Sequence, residues 1–132
     1  MAKARIAIEL LLEASNGVGI LAEVASKIAK EAINIEGISA YVIDDKAYFR
    51  LVVSDVEGAK SALSDFRIEE SEVVVVELEN RVGAAGEIVL KLKEANINLS
   101  YAYGSACASI GESRSFFVFS SNNNQKAADI LK

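Results

Sequence analysis

The sequence predicts an α+β protein built from two copies of one β-α-β-β-α-β unit, each with an antiparallel sheet and its helices on one face. Three observations carry this. Asn16-Gly17-Val18-Gly19 returns as Asn80-Arg81-Val82-Gly83, an offset of 64 residues, and the same offset carries Glu23 onto Glu87, Lys27 onto Lys91 and Ile33-Asn34 onto Ile97-Asn98. So long a period in 132 residues means two copies of a small unit. Within each copy, apolar residues at helical spacing alternate with β-branched stretches. Finally, Asp44-Asp45-Lys46 is hairpin chemistry, which makes the strands on either side antiparallel.

Arg5 to Leu12 is aliphatic and predicts a strand buried on at least one face. Ser15-Asn16-Gly17 supplies turn and cap residues. Leu21, Val24, Ala25, Ile28 and Ala29 then follow the i, i+3, i+4, i+7, i+8 pattern of an amphipathic helix. Ile35 to Ile43 is a second strand, and the hairpin leads into Ala47 to Val53. The next helix sets Val56, Ala59, Leu63 and Phe66 on one side, capped by Ser54 (with Glu57) or by Asp55. Arg67-Ile68-Glu69 forms a short fourth strand.

The second copy begins near Ser71. It runs through Val73 to Leu78, a helix over about 84–95, Leu99 to Cys107, Ser115 to Phe119, and a helix over about 125–131 behind Asn122-Asn123-Asn124. Its hairpin, around Ser109-Ile110-Gly111-Glu112-Ser113, is three or four residues longer. This copy has no fourth strand of its own, so the edge beside Val73 to Leu78 is expected to be covered by the linker strand near Ile68 or by another chain. The repeat sets domain limits at 1–70 and 71–132.

Units this small bury only ~60% of their unfolded surface and lean on neighbours. With 52% hydrophobic and 25% charged residues, the chain has apolar surface to spare for packing between repeats or between chains. No apolar run approaches the ~20 residues that span a bilayer, and the N-terminus suits neither a signal nor a transit peptide. A single cysteine, Cys107, gives no disulfide framework and points to the cytoplasm; it is read as inert packing. A net charge of −5 without a basic cluster argues against nucleic acid or anionic membrane as partner.

Gly19 to Ala29 followed by Ile33 to Ala40, and Val74 to Gly83 followed by Lys91 to Leu99 and Tyr101-Ala102-Tyr103, resemble the ACT domain family of small-molecule regulatory modules, as a tandem pair with no attached enzyme. The resemblance covers almost the whole chain. It departs from the family where Val18 and Val82 replace the loop proline, and where Val56 stands at a first-turn proline; the chain has no proline at all. Ala32 and Asn96 replace the family's glycine between the first helix and the second strand. Asn tolerates the left-handed conformation of a helix exit, whereas Ala does so poorly.

The first candidate site is the loop Asn16, Gly17, Val18, Gly19, Ile20, Leu21 and its counterpart Asn80, Arg81, Val82, Gly83, Ala84, Ala85. A strand-to-helix turn offers unpaired N–H groups at the positive end of a helix dipole, a receptor for a carboxylate. The plainer reading is that Gly19 and Gly83 only permit a turn that Asn16 and Asn80 cap. The second candidate is Asn34-Ile35 with Asn98-Leu99, where the resemblance implies a residue facing the site between two modules. An amide both accepts from an ammonium and donates to a carboxylate; alternatively these asparagines only end a loop. Glu36, Gly37, Ser100 and Tyr101 come next along the strand. Glu77 and Glu79 face water on the simplest reading, the alternative being paired carboxylates that hold a cation, and Tyr101, Tyr103, Phe116, Phe117 and Phe119 serve packing or ligand stacking.

No catalytic residue, metal or cofactor is expected. The chain lacks histidine, which removes imidazole general bases and ligands. The reading is a non-catalytic regulatory module that binds a free amino acid between repeats, forms a homodimer, and is read by an enzyme or regulator. Two alternatives stand beside it. One is a structural oligomerisation module without ligand. The other is a dinucleotide-binding fragment, suggested by Gly17-x-Gly19-x-x-Ala22 with Glu36 beyond, although Arg81 breaks that pattern in the second copy.

Overall fold

The computed structural model describes residues 3–105 and 114–132. The elements in chain order are β1 (Lys3–Ser15), α1 (Ile20–Lys30), β2 (Ile35–Ile43), β3 (Lys46–Val53), α2 (Val56–Ala62), β4 (Arg67–Glu79), α3 (Ala84–Glu94), β5 (Leu99–Gly104), β6 (Arg114–Ser121) and α4 (Asn124–Leu131). They form two compact units, one of residues 8–71 and one of residues 72–132 together with the N-terminal residues through Ala7. Cys107 and the hairpin at 109–113 lie outside the described residues. Among the described residues, no helix is long and apolar enough to cross a membrane.

In the 8–71 unit the strands lie in the order β2-β3-β1-β4, and in the other unit in the order β5-β6-β4-β1. The β1–β3, β2–β3, β4–β6 and β5–β6 pairs are antiparallel. This is the ferredoxin-like arrangement twice over. Alternation along β1 sends Leu10, Leu12 and Ala14 into a core with Val24, Ile28, Phe49 and Leu63. In the second unit Val74, Val76 and Leu78 meet Ile88, Leu92, Phe119 and Leu131, with Ala4 and Ile6 packed against them.

Two expectations change. Arg67-Ile68-Glu69 and Val73 to Leu78 are not separate strands but one 13-residue strand, because Glu70-Ser71-Glu72 holds neither Gly, Pro, Asn nor Asp to break it. The edge beside Val73 to Leu78 is covered neither by the linker near Ile68 nor by another chain. The first residues of β1 lie there, and Ala4 and Ile6 supply the apolar contacts.

The connections obey local chemistry. Asp44 and Asp45 both take left-handed φ, 50° and 66°, and join Ile43 to Lys46 in a two-residue turn of the type that matches strand twist. Asp55 rather than Ser54 caps α2, accepting from Gly58 N at 3.0 Å. Asn123 caps α4 by accepting from Lys126 N at 3.1 Å. Ala32 and Asn96 both exit their helices at positive φ, 56° and 60°. β3 lies between β1 and β2 and is antiparallel to both, so the strands that Gly17-Val18-Gly19 and α1 connect are not neighbours as they are in a dinucleotide-binding fold.

Candidate functional site

The two glycine loops share one geometry. Gly19 and Gly83 take φ of 88° and 85° at the positions that open α1 and α3. The N-cap residue of each helix is the glycine itself, which has no side chain to cap with. The N–H groups of Ile20 and Glu23 turn back onto the carbonyls of Gly17 and Gly19 at 3.3 and 2.9 Å. Ala84 and Glu87 do the same onto Arg81 and Gly83 at 3.3 and 3.0 Å. The tips are bare: Val18 and Val82 are fully or almost fully exposed.

The loops differ in charge. Arg81 donates to Glu87 and lies 3.7 Å from Glu79, whereas Gly17 occupies its place in the other copy. The Arg81 hydrogen bond holds the Glu87 carboxyl below the usual glutamate range, and Glu87 in turn raises Arg81. Sequence reading put Arg81 in the loop but missed this pair, although the spacing from residue 81 to the first turn of the helix was available to it.

Asn34 and Asn98 sit in matching clasps at the other end of α1 and α3. Asn34 N donates to Ser54 Oγ at 3.0 Å, and Ser54 N donates to Asn34 O at 3.0 Å. In the second unit Asn98 N donates to Asn122 Oδ1 at 3.2 Å, and Asn122 N donates to Asn98 O at 3.0 Å. Both clasps use only the backbone of the asparagine. The side-chain amides are exposed and bond to no described residue. Directly beyond each, the strand carries a register shift, between Ile35 and Gly37 and between Leu99 and Tyr101. Such bulges re-aim the extra residue, here Glu36 and Ser100, and no residue pattern marks them.

Within a unit, loop and asparagine do not meet. They lie at opposite ends of an 11-residue helix, about 16 Å apart at ~1.5 Å per residue. Asn98 instead borders an open groove of about 510 Å³, lined by Val89, Leu92, Lys93, Asn96, Asn98 and Leu99 among others. The groove runs along α3 and the start of β5, which is the edge strand of its unit, as β2 is of the other. Exposed apolar side chains accompany these edges: Ile38, Val42 and Ile43 on β2, and Val89 and Leu90 on α3.

A buried ion pair lies on the helix-free face of the 8–71 unit. Glu9 is completely buried and accepts from Arg50 at 2.8 Å, while Arg50 also donates to the Tyr41 hydroxyl at 3.1 Å. The registers Leu10↔Leu51 and Val74↔Phe119 make Val73 and Val118 the counterparts of Glu9 and Arg50.

A family model for the ACT domain matches residues 8–70. No curated protein is significantly similar to the chain. Among solved structures, protein BT0572 from Bacteroides thetaiotaomicron is 28% identical, with a TM-score of 0.82 over 97% of this chain and 88% of that one. The ligand-free regulatory subunit of aspartate kinase from Thermus thermophilus has a TM-score of 0.65 at 14% identity, over 98% and 93% of the two chains. Aspartokinase alpha and beta subunits give 0.64 at 16% identity, over 98% and 94%. At those identities the two kinase structures speak for the fold. The match to the ACT domain model thus coincides with the 8–71 unit, one of a pair of ferredoxin-like units of ACT-like architecture.

Proposed function

We propose that the chain is a non-catalytic regulatory module that senses a free amino acid at half-sites completed by a second ACT-like unit set side by side. The observation that carries this is the groove beside Asn98. It is open, it borders an edge strand, and it presents an exposed amide that bonds to no side chain or backbone group among the described residues. A groove of about 510 Å³ is within the range of small-molecule sites, and an amide is suited to a zwitterion. The positive end of a helix behind a glycine loop is what a ligand carboxylate needs, yet it lies a helix length away in the same unit. A neighbouring unit running the opposite way brings its own loop to Asn34 or Asn98. Homodimerisation through β2 and β5, which would cover the exposed Ile38, Val42 and Ile43 of β2, supplies that neighbour. The fold shared with the regulatory subunit of aspartate kinase suits a module that reports to an enzyme, and the single cysteine suits the cytoplasm.

The test is a melting-temperature panel with the twenty amino acids. Some subset should stabilise the protein by ~2.7 kcal/mol at a hundredfold excess over Kd, and Asn98→Ala should remove part or all of the response. A flat panel rejects the reading and leaves the ligand-free assembly module, which the exposed edge residues favour and light scattering would detect.

A further inference from the structure

The loop that opens α1 begins with an asparagine followed directly by a glycine, Asn16-Gly17. Residues 15–19 are all exposed, and Asn16 and Gly17 belong to no helix or strand. The Asn16 N–H donates to Asp45 O at 3.0 Å, which holds the residue from its N-terminal side. On the other side, no group among the described residues accepts from the Gly17 N–H, and none bonds to the Asn16 amide. The space beside the Gly17 Cα is open as well. Beyond its chain neighbours, no atom lies within 4 Å of where a side chain would start.

The second copy closes these openings. Arg81 stands in place of Gly17, and its backbone N–H donates to Glu79 O at 2.9 Å. Its side chain is held by Glu87, and Asn80 is half-buried with a partner of its own.

We propose that Asn16 is a site of spontaneous deamidation, with water as the only co-reactant, and that Asn80 is spared. The Gly17 nitrogen, on giving up its proton to base, attacks Asn16 Cγ. The new C–N bond closes a five-membered imide and expels the side-chain nitrogen as ammonia. Water then opens the ring at one of its two carbonyls. One opening leaves aspartate; the other leaves isoaspartate, whose backbone runs through the former side chain. Each chain takes up a water, releases an ammonia and gains one negative charge. Ring closure needs a backbone nitrogen free of hydrogen bonds and a next residue without a side chain to crowd the approach. Only the first copy meets both conditions.

The new charge falls in a loop whose helix end suits a carboxylate, and in one unit only. On the regulatory reading above, on which this consequence alone rests, ageing of the protein desensitises the first loop and leaves the second.

The full chain is kept in warm, mildly alkaline buffer and mapped by tryptic mass spectrometry. The peptide 6–27 should gain one mass unit and split into two chromatographic species, while the peptide 68–81, which holds Asn80, stays unchanged. Because an exposed loop opens at almost no cost, the folded chain should react within about threefold of the urea-unfolded chain. Gly17→Arg, which copies the second loop, should slow the reaction about tenfold or more. Protection of Asn16 by about tenfold in the folded chain, or Asn80 reacting as fast as Asn16, overturns the proposal. None of these measurements involves a ligand, so they stand or fall apart from the amino-acid panel. In that panel Asn16→Asp should respond less than the unaltered chain; a full response would remove the consequence and leave the chemistry.

Discussion

Ala32 leaves α1 at φ 56°, where its Cβ crowds the following carbonyl at a cost of roughly 1–2 kcal/mol. Glycine removes that strain but adds ~0.4–1 kcal/mol of unfolded-state entropy. Ala32→Gly should therefore stabilise the protein by about 0.5–1 kcal/mol in urea unfolding, and Asn96→Gly by less, since asparagine tolerates this conformation. No gain from Ala32→Gly would show that the strain is absorbed elsewhere. Glu9 and Arg50 make the opposite kind of case. Arg50→Leu takes the guanidinium away from a completely buried carboxylate and should cost about 3 kcal/mol. Replacing both with valine copies the pair Val73 and Val118, each buried in the other unit, and should be close to neutral or stabilising. A double variant as unstable as Arg50→Leu would sink that account. The left-handed exit at residue 32 was legible as a departure from the family's glycine. The buried pair was not, because Glu9 alternates with leucines just as a solvated strand residue does.

At the scale of elements, the clasp between Asn34 and Ser54 separates architecture from binding. Ser54→Ala removes the acceptor of the Asn34 N–H but leaves that group near solvent, so the loss should be about 0.5–1 kcal/mol. Asn34→Ala keeps the backbone clasp and deletes only an exposed amide, so its stability should change by no more than about 0.5 kcal/mol. Denaturant curves beside ligand melts check both, and a large stability loss in Asn34→Ala would mean its side chain is structural. Sequence put α1 at the right place because Val24 and Ile28 recur at one face and are buried in the core. It named Ser54 as one possible cap, since a serine three residues before a glutamate looks the same whether it serves the helix or the strand beside it. The register shifts at Ile35/Gly37 and Leu99/Tyr101 had no signature, because a bulge is fixed by the partner strand and not by its own residues.

For the molecule as a whole, continuity of sequence sets the two units apart. Residues 8–71 contain all four strands and both helices of their unit, whereas residues 72–132 hold three strands and need the N-terminal part of β1 as the fourth. Periodicity cannot reveal this, since Arg5 to Leu12 reads as one strand belonging to the copy it precedes. Expressed alone, residues 8–71 should show a cooperative though marginal unfolding transition, as expected of a domain near 60 residues. Residues 72–132 alone should not, because the strand edge at Val73 to Leu78 would be unpaired and Ala4 and Ile6 would be missing from the core. Appending residues 3–7 after Lys132 through a flexible Gly/Ser linker restores the β-α-β-β-α-β order within one chain and should recover the transition. Far-UV circular dichroism and urea melts distinguish the three fragments. A cooperative transition in residues 72–132 without the appended strand, at the stability of the extended fragment, would show that the N-terminal strand is not what completes the fold.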